Sequence, residues 1–295
     1  MYKEHDDFLL RHSVLYDFKL VDMGNEEARN FVFEKLSEMI ATQGIDILRI
    51  DANIDPILYW DYADSPDRIG IKELLYIDGV YKLWDALLDR FPHLTIDNCA
   101  SGGRRLDFEL MKRSVSYCRS DYTNDHVKAE KARFAAIQTR NLNKYIPYTS
   151  PIMGGEPSAY LVRLGFTGAI VLLPPFLEAQ NLELTKELIR ECKRVRPLWN
   201  KNFYPLTEQN EFWTVYQINR DDKGAVYFLR HDGAETDNIT VKLKGIETDA
   251  RYKVMITDEK MQKTETELWG KAFAENLCIK IDATRESVLV EFEKI

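Results

Sequence analysis

Residues 25–53 read NEEARNFVFEKLSEMIATQGIDILRIDAN. Asn25 can cap a helix through its side-chain oxygen, and Glu26 and Glu27 place negative charge in the first turn, where the helix dipole favours it. Phe31, Val32, Leu36, Met39 and Ile40 recur at helical spacing, and Gly44 then supplies the left-handed residue that closes many helices. Ile45 to Ile50 is a compact β-prone run that stops at Asp51. A helix, a glycine, a strand and a carboxylate at the strand's end make one repeat of an α/β protein.

The same cycle recurs downstream. Val80, Leu83, Trp84, Leu87 and Leu88 keep helical spacing until Pro92, and Leu94 to Ile96 is a strand ending at Asp97, Asn98 and Cys99. Leu106 to Met111 reads as helix, Val115 to Cys118 as a strand delivering Arg119, Ser120 and Asp121, and His126 to Leu142 as helix. Tyr145 to Tyr148 and Gly168 to Leu173 read as strands, and Leu182 to Val195 as helix. Alternation of this kind implies a parallel sheet with polar residues gathered at the strand ends. About five such strands are counted, whereas a closed (β/α)8 barrel needs eight. Either the sheet is open, or a barrel is completed by something this chain lacks.

Near Pro205 the texture changes. Phe212 to Gln217, Ala225 to Leu229, Ile239 to Leu243, Tyr252 to Ile256, Cys278 to Ile281 and Ser287 to Phe292 are short alternating strands between turn-like stretches. They predict an all-β antiparallel sandwich over 205–295, after an α/β portion over 1–204.

The totals narrow the function. Of the 295 residues 45% are hydrophobic and 30% charged, enough for a real core. A net charge of −8 disfavours nucleic acid and anionic membranes as partners but leaves neutral sugars unaffected. Cys99, Cys118, Cys192 and Cys278 form neither a disulfide framework nor a CxxC pair, and the five histidines lack metal-ligand spacing, so no metal is expected. No signal pattern or membrane-length apolar run is present, which reads as a reduced, cytoplasmic-type protein.

Three strand-end clusters carry the chemistry: Leu48 to Asn53, Asp97 to Arg105, and Arg119 to Thr123. Two aspartates on different strands can face one another across a pocket. That arrangement suits glycoside hydrolysis, where a separation of about 5 Å gives retention and about 6.5–9.5 Å inversion. A lone strand-end aspartate more often caps a helix or accepts loop amides, and Asp22, Asp46, Asp55 and Asp97 are read that way. Arg119 reads equally well as a strand-end salt bridge. Trp60, Tyr59 and Tyr62 divide evenly between stacking on sugar rings and packing.

The clusters resemble glycoside hydrolase family 36, the melibiase-type α-galactosidases. Leu48 to Asn53 is similar to the LKWDMN-type nucleophile motif, Asn98 to Asp107 to the NCSSGGGRFD-type loop, and Ser120 to Thr123 to the SDxT motif. Glu4 to Phe8 and Val21 to Asn25 resemble the "HPDW" and "LDLGNPEV" segments, so the likeness covers roughly residues 4 to 200. It implies Asp51 as nucleophile and Asp121 as general acid and then base, with no cofactor. Arg49 would favour the ionised Asp51 by direct attraction. Asn53 and Cys99 would contact sugar hydroxyls, Gly102 would let the backbone approach the ring, and Arg119 would clamp a hydroxyl or hold Asp121.

Departures bear on the sugar more than on the reaction. Arg49-Ile50 stands where much of the family has Lys-Trp, Ala52 replaces a larger residue, and Tyr16 falls near a family arginine. The resemblance also implies an amino-terminal β-domain and three earlier barrel strands upstream of Met1, leaving strands four to eight here. The expected function is therefore a retaining α-galactosidase acting on a glycoside. The alternatives are an α-N-acetylgalactosaminidase, a related α-galactoside specificity, or an inactive sugar-binding fragment. Family members are often oligomers, so a homo-oligomer is also among the expectations.

Overall fold

The computed structural model of the chain describes residues 4–12, 18–122, 129–150, 152–153, 156–165, 171–172, 174–208 and 212–295. It divides into two compact units, Met1–Tyr117 and Cys118–Ile295. No helix among the described residues is long and apolar enough to cross a membrane.

The first unit opens with an antiparallel pair, β1 (Leu9–Leu10) and β2 (Leu20–Val21). Helix α1 (Glu26–Gln43) starts where the sequence predicts: the Asn25 side chain accepts from the Glu27 N–H at 2.9 Å and the Ala28 N–H at 3.3 Å. Gly44 closes it at φ 65°. Strand β3 (Ile47–Asp51) follows, then α2 (Ile57–Ala63), α3 (Ile71–Arg90), β4 (Thr95–Cys99), α4 (Phe108–Met111) and β5 (Tyr117–Cys118). β3 and β4 are parallel from Ile47 opposite Thr95 to Asp51 opposite Cys99, and Asn98 of β4 pairs with Tyr117. Ile40, Leu48, Leu83, Trp84, Leu87, Ile96 and Leu110 form the core between these helices and strands. Each large apolar side chain buried there contributes about 1.5–3 kcal/mol.

The helix at 57–63 and the first two turns of α3 come before Val80, where the helical spacing read from the sequence begins. Side-chain capping explains the start of α3. The Asp64 carboxylate accepts from the Gly70 N–H at 2.6 Å and the Lys72 N–H at 2.9 Å, satisfying donors that have no partner inside a helix. Gly79 then lets α3 pass the segment before α1, since a Cβ at that position would lie 1.8 Å from the Met23 carbonyl oxygen.

The second unit contains α5 (Ala129–Leu142), β6 (Thr149–Ser150), β7 (Ile152–Met153), α6 (Ala159–Arg163), β8 (Val171–Leu172) and α7 (Leu182–Val195). β7 and β8 are parallel. The predicted strand at 145–148 is instead the turn after α5, where the N–H groups of Tyr145 and Ile146 still bond the Leu142 carbonyl, and the strand begins at Thr149. Of the predicted helix start at 126 and the strand at 168–173, residues 126–128, 168–170 and 173 lie outside the described residues.

The antiparallel part runs β9 (Asn202–Pro205), β10 (Trp213–Arg220), β11 (Lys223–Arg230), β12 (Asn238–Val241), β13 (Arg251–Thr257), β14 (Lys263–Trp269), α8 (Gly270–Glu275), β15 (Leu277–Lys280) and β16 (Glu286–Lys294). A six-stranded sheet has the order β14-β13-β16-β11-β10-β9, and β12 pairs with β15. The antiparallel sheet therefore starts at Asn202, slightly before the change of texture at Pro205. That proline sits on an edge strand, where its missing N–H is tolerated.

β10 and β11 are buried almost throughout because both faces of the sheet are covered. Val215, Val226 and Phe228 face a core shared with Val241 of β12 and Leu277 and Ile279 of β15, which makes the two sheets a sandwich. Tyr216, Ile218, Tyr227 and Leu229 face the other way, onto Ala132 and Ala136 of α5, Leu161 of α6 and Leu188 of α7.

Candidate active site

In the first unit the ends of β3 and β4 are stitched together. The Cys99 carbonyl accepts from the Ala52 N–H at 3.1 Å, and the Arg105 guanidinium donates to the carbonyls of Cys99 at 2.5 Å and Ile50 at 3.3 Å. Around this frame stand Arg49 and Asp51, two residues apart on β3 and so directed to one face, with Asn53 just past the strand's end.

The Asp51 carboxylate is partly exposed. Its Oδ1 accepts from the Ser101 N–H at 3.3 Å, and its Oδ2 lies 3.5 Å from Arg49 Nη2. The Ser101 hydroxyl donates to Asn53 Oδ1 at 2.8 Å. The loop can turn back in this way because Ser101 and Gly102 both adopt positive φ, at 49° and 83°. Glycine accepts that conformation without steric cost. Gly102 is buried, and its carbonyl accepts from the Ala100 N–H at 3.2 Å.

Arg49 also donates from Nη1 to Asp97 Oδ2 at 2.8 Å. Partial burial works against its positive charge. The hydrogen bond and charge of Asp97, with the charges of Cys99 and Asp51, outweigh it and hold the guanidinium pKa above the ordinary arginine value. The structure therefore brings Arg49, Asp51, Asn53 and Gly102 to one strand-end cluster, with Cys99 buried at its floor.

Sequence reasoning missed two members of this cluster. Asp97, expected to cap a helix or accept loop amides, pairs with Arg49. Its signal is the parallel register that sets Arg49 opposite Asp97, invisible along a single strand. Ser101, whose N–H and hydroxyl hold Asp51 and Asn53, had no signal beyond its place in the glycine loop.

On the Ala52 and Ala100 side lies a cavity of about 300 Å³ walled by Trp60, Tyr76 and Tyr81. Trp60 packs on Tyr76 with ring centroids 5.2 Å apart, and Tyr59 is buried with its hydroxyl donating to the Phe18 carbonyl at 3.0 Å. Both belong to the packing of α2, while Tyr62 is exposed.

Arg119 and Asp121 belong to the second unit. Asp121 is exposed, and the Cys118 thiol stands 3.9 Å from its Oδ1. The Ser120 hydroxyl oxygen accepts from the Tyr122 N–H at 3.1 Å. Arg119 is buried and donates to the Ala135 carbonyl at 3.2 Å and to the Thr149 hydroxyl at 3.5 Å. Burial pushes its pKa down to about 10, partly offset by Tyr216 and Cys118. Its bonds run to α5 and β6, and no ion pair ties it to a carboxylate among the described residues. Thr123, the last residue of the third cluster, lies outside the described residues.

Comparison with known proteins gives these clusters a setting. Residues 1–140 match the Melibiase family model. The chain is 22% identical to Alpha-galactosidase 1 of Pediococcus pentosaceus over 89% of its own length and 39% of that protein. It is 21% identical to Alpha-galactosidase Mel36A of Lactobacillus acidophilus, over 88% and 37%. It thus spans about two-fifths of the length of these relatives. All of it superposes on a Geobacillus stearothermophilus GH36 α-galactosidase, AgaA, solved in complex with raffinose, with a TM-score of 0.80, 18% identity and 42% of that chain covered. A noncanonic maltogenic α-amylase from Thermotoga neapolitana shares the fold more distantly, at a TM-score of 0.62 and 14% identity. The resemblance to the melibiase family read from the motifs is borne out, and over this stretch the fold is that of the GH36 enzymes.

Proposed function

We propose that the chain carries the catalytic machinery of a retaining α-galactosidase, with Asp51 as nucleophile and Asp121 as acid and base. The observation that carries this reading is the setting of Asp51: a partly exposed carboxylate at the end of a parallel strand, held by the Ser101 N–H and faced by Arg49. A fixed, charge-supported carboxylate is what attack on an anomeric carbon requires.

In the first step an Asp51 oxygen bonds to the anomeric carbon as the bond to the leaving oxygen breaks. Asp121 gives its proton to that oxygen. In the second step Asp121 takes a proton from water, the water oxygen bonds to the anomeric carbon, and Asp51 leaves as the carboxylate. Two inversions give net retention. Asn53 and Arg49 are placed to meet sugar hydroxyls, and the Gly102 turn keeps the backbone close. Cys99 is assigned to the pocket floor and Arg119 to the support of the loop carrying Asp121.

Residues 1–204 are read as the later part, strands four to eight, of a (β/α)8 barrel, and 205–295 as its terminal β-domain. The substrate is inferred to be a glycoside with a terminal α-galactosyl group. The raffinose complex of AgaA and the names of the relatives support this choice. The departure at Arg49-Ile50 keeps an α-N-acetylgalactosaminide as the second reading, and retention of galactose without turnover would mark a sugar-binding fragment.

The deciding experiment is hydrolysis of an aryl α-galactoside by the chain, with Asp51→Asn beside it and the anomer of the first-formed sugar followed by NMR. Turnover with retention that disappears in Asp51→Asn is the expected result. An unchanged rate in Asp51→Asn overturns the assignment.

A further inference from the structure

We infer that Asp97 is a positioning residue for Arg49, and that the pair together sets which sugar hydroxyl the site recognises. The inference rests on the glycosidase reading above. Arg49 on β3 and Asp97 on β4 face one another in the parallel register, and Arg49 Nη1 donates to Asp97 Oδ2 at 2.8 Å. The Asp97 side chain is only 20% exposed. Its other oxygen, Oδ1, is buried with no hydrogen-bond partner among the described residues. Burying a carboxylate costs free energy unless it is paired, and among the described residues Arg49 is the cation that pairs with it.

The geometry divides the guanidinium into two parts. Nη1 is committed to Asp97, while Nη2 stands 3.5 Å from Asp51 Oδ2, longer than a good hydrogen bond. Because the guanidinium is planar, fixing one amino group fixes the direction of the other. Asp97 thus holds Nη2 beside the attacking carboxylate as an oriented donor with capacity for an oxygen of the substrate. A lysine at this position would offer one freely rotating ammonium and could not serve both partners from a rigid fork. The ligand feature that such a donor selects is a hydroxyl or ring substituent presenting an acceptor next to the reacting carbon.

A double-mutant cycle tests this. The variants are Asp97→Asn, Arg49→Ala and the pair, with aryl α-galactoside hydrolysis measured as kcat and KM and folding checked by circular dichroism. Asp97→Asn is expected to lower kcat/KM by about ten- to a hundredfold, divided between kcat and KM in the same proportion as in Arg49→Ala. In the Arg49→Ala background the same change should cost less than about twofold, because its effect passes through Arg49. Asp97→Glu, which keeps the charge, should recover part of the loss. Additive losses, or a loss confined to melting temperature, overturn the proposal.

NMR of the guanidinium separates this question from the reaction itself. Slow-exchanging Arg49 N–H signals that average out in Asp97→Asn support the pair even if Asp51→Asn shows the hydrolysis reading to be wrong. Unchanged signals overturn it. If the glycoside is not turned over, the same cycle is run on galactose binding by calorimetry, with the same outcomes deciding; a chain that binds no galactose overturns the proposal.

Discussion

The Ser101 N–H donates to Asp51 Oδ1 at 3.3 Å, although 50 residues separate the two along the chain. The contact depends on a loop that reverses direction within two residues of left-handed backbone, Ser101 at φ 49° and Gly102 at φ 83°. A carboxylate held by a backbone amide needs no side-chain rearrangement to remain in place, which is the kind of fixed geometry that lowers the cost of attack.

Gly102→Ala should therefore act on stability and on turnover together. A Cβ in the left-handed region costs about 1–2 kcal/mol. The expected result is a stability loss of that size in urea denaturation and a fall in kcat/KM for an aryl α-galactoside. Native-like denaturation and turnover would show that the loop does not need this conformation.

The second unit is clamped by a different interaction. Arg163 and Glu191 form two parallel bonds, Nε to Oε1 at 2.8 Å and Nη2 to Oε2 at 2.7 Å, with both side chains fully buried. Arg163 also donates to the Ser287 carbonyl at 3.1 Å and to the Ser287 hydroxyl at 3.2 Å, so α6, α7 and β16 meet at one guanidinium. Burial opposes the Arg163 charge, and the bond and charge of Glu191 hold its pKa above the usual value. Glu191→Ala removes the carboxylate paired with that buried cation and should cost about 3–5 kcal/mol. Urea denaturation reads this directly, and a loss below about 1 kcal/mol, the range of an exposed pair, would contradict the account.

How much of this could be seen beforehand follows from the range of each signal. Asn25 and Gly44 bracket α1 through contacts within a few residues, and Leu182 to Val195 shows its apolar stripe plainly, so both helices were legible. β14, KTETELW, is exposed almost throughout and offers no apolar face to read; pairing with β13 makes it a strand. Residues 57–63 lacked a long periodic pattern, and the Asp64 cap that starts α3 reaches six and eight residues forward. Arg49, Asp51 and Asn53 were legible because Leu48 to Asn53 resembles a known nucleophile motif that points to them residue by residue. Asp97 was not, because its meaning comes from β-strand register across 48 residues.

His231 gives a pH signature. Its Nδ1 lies 2.7 Å from the Tyr160 hydroxyl and its Nε2 2.9 Å from the Thr214 hydroxyl, both buried. Burial, reinforced by Arg133 and opposed by Asp232, lowers its pKa from 6.5 to about 4. The folded state thus holds the neutral ring, while the unfolded chain takes up a proton below pH 6.5. The stabilisation is complete above about pH 6.5 and is lost as pH falls toward 4, amounting to about 3 kcal/mol. His231→Gln should flatten the difference in unfolding free energy between pH 7 and pH 4 by roughly that amount. An unchanged difference would assign the acid sensitivity elsewhere.

Asp121 can be separated from Asp51 by the leaving group. If Asp121 protonates the departing oxygen, a good leaving group needs little of that help, whereas an alkyl or sugar leaving group needs it fully. Asp121→Ala should therefore slow hydrolysis of an alkyl α-galactoside by about 10²–10⁴-fold and that of a nitrophenyl α-galactoside far less in its first step. The second step loses its base in the same variant, so the glycosyl-enzyme should accumulate with the nitrophenyl substrate and produce a burst of nitrophenol. Added azide, which needs no base to attack, should relieve that accumulation and yield a galactosyl azide of retained configuration. Asp51→Asn should show neither the burst nor the rescue, because no glycosyl-enzyme forms. Equal losses on both substrates in Asp121→Ala, without a burst, would remove Asp121 from proton transfer and leave it a residue of the loop.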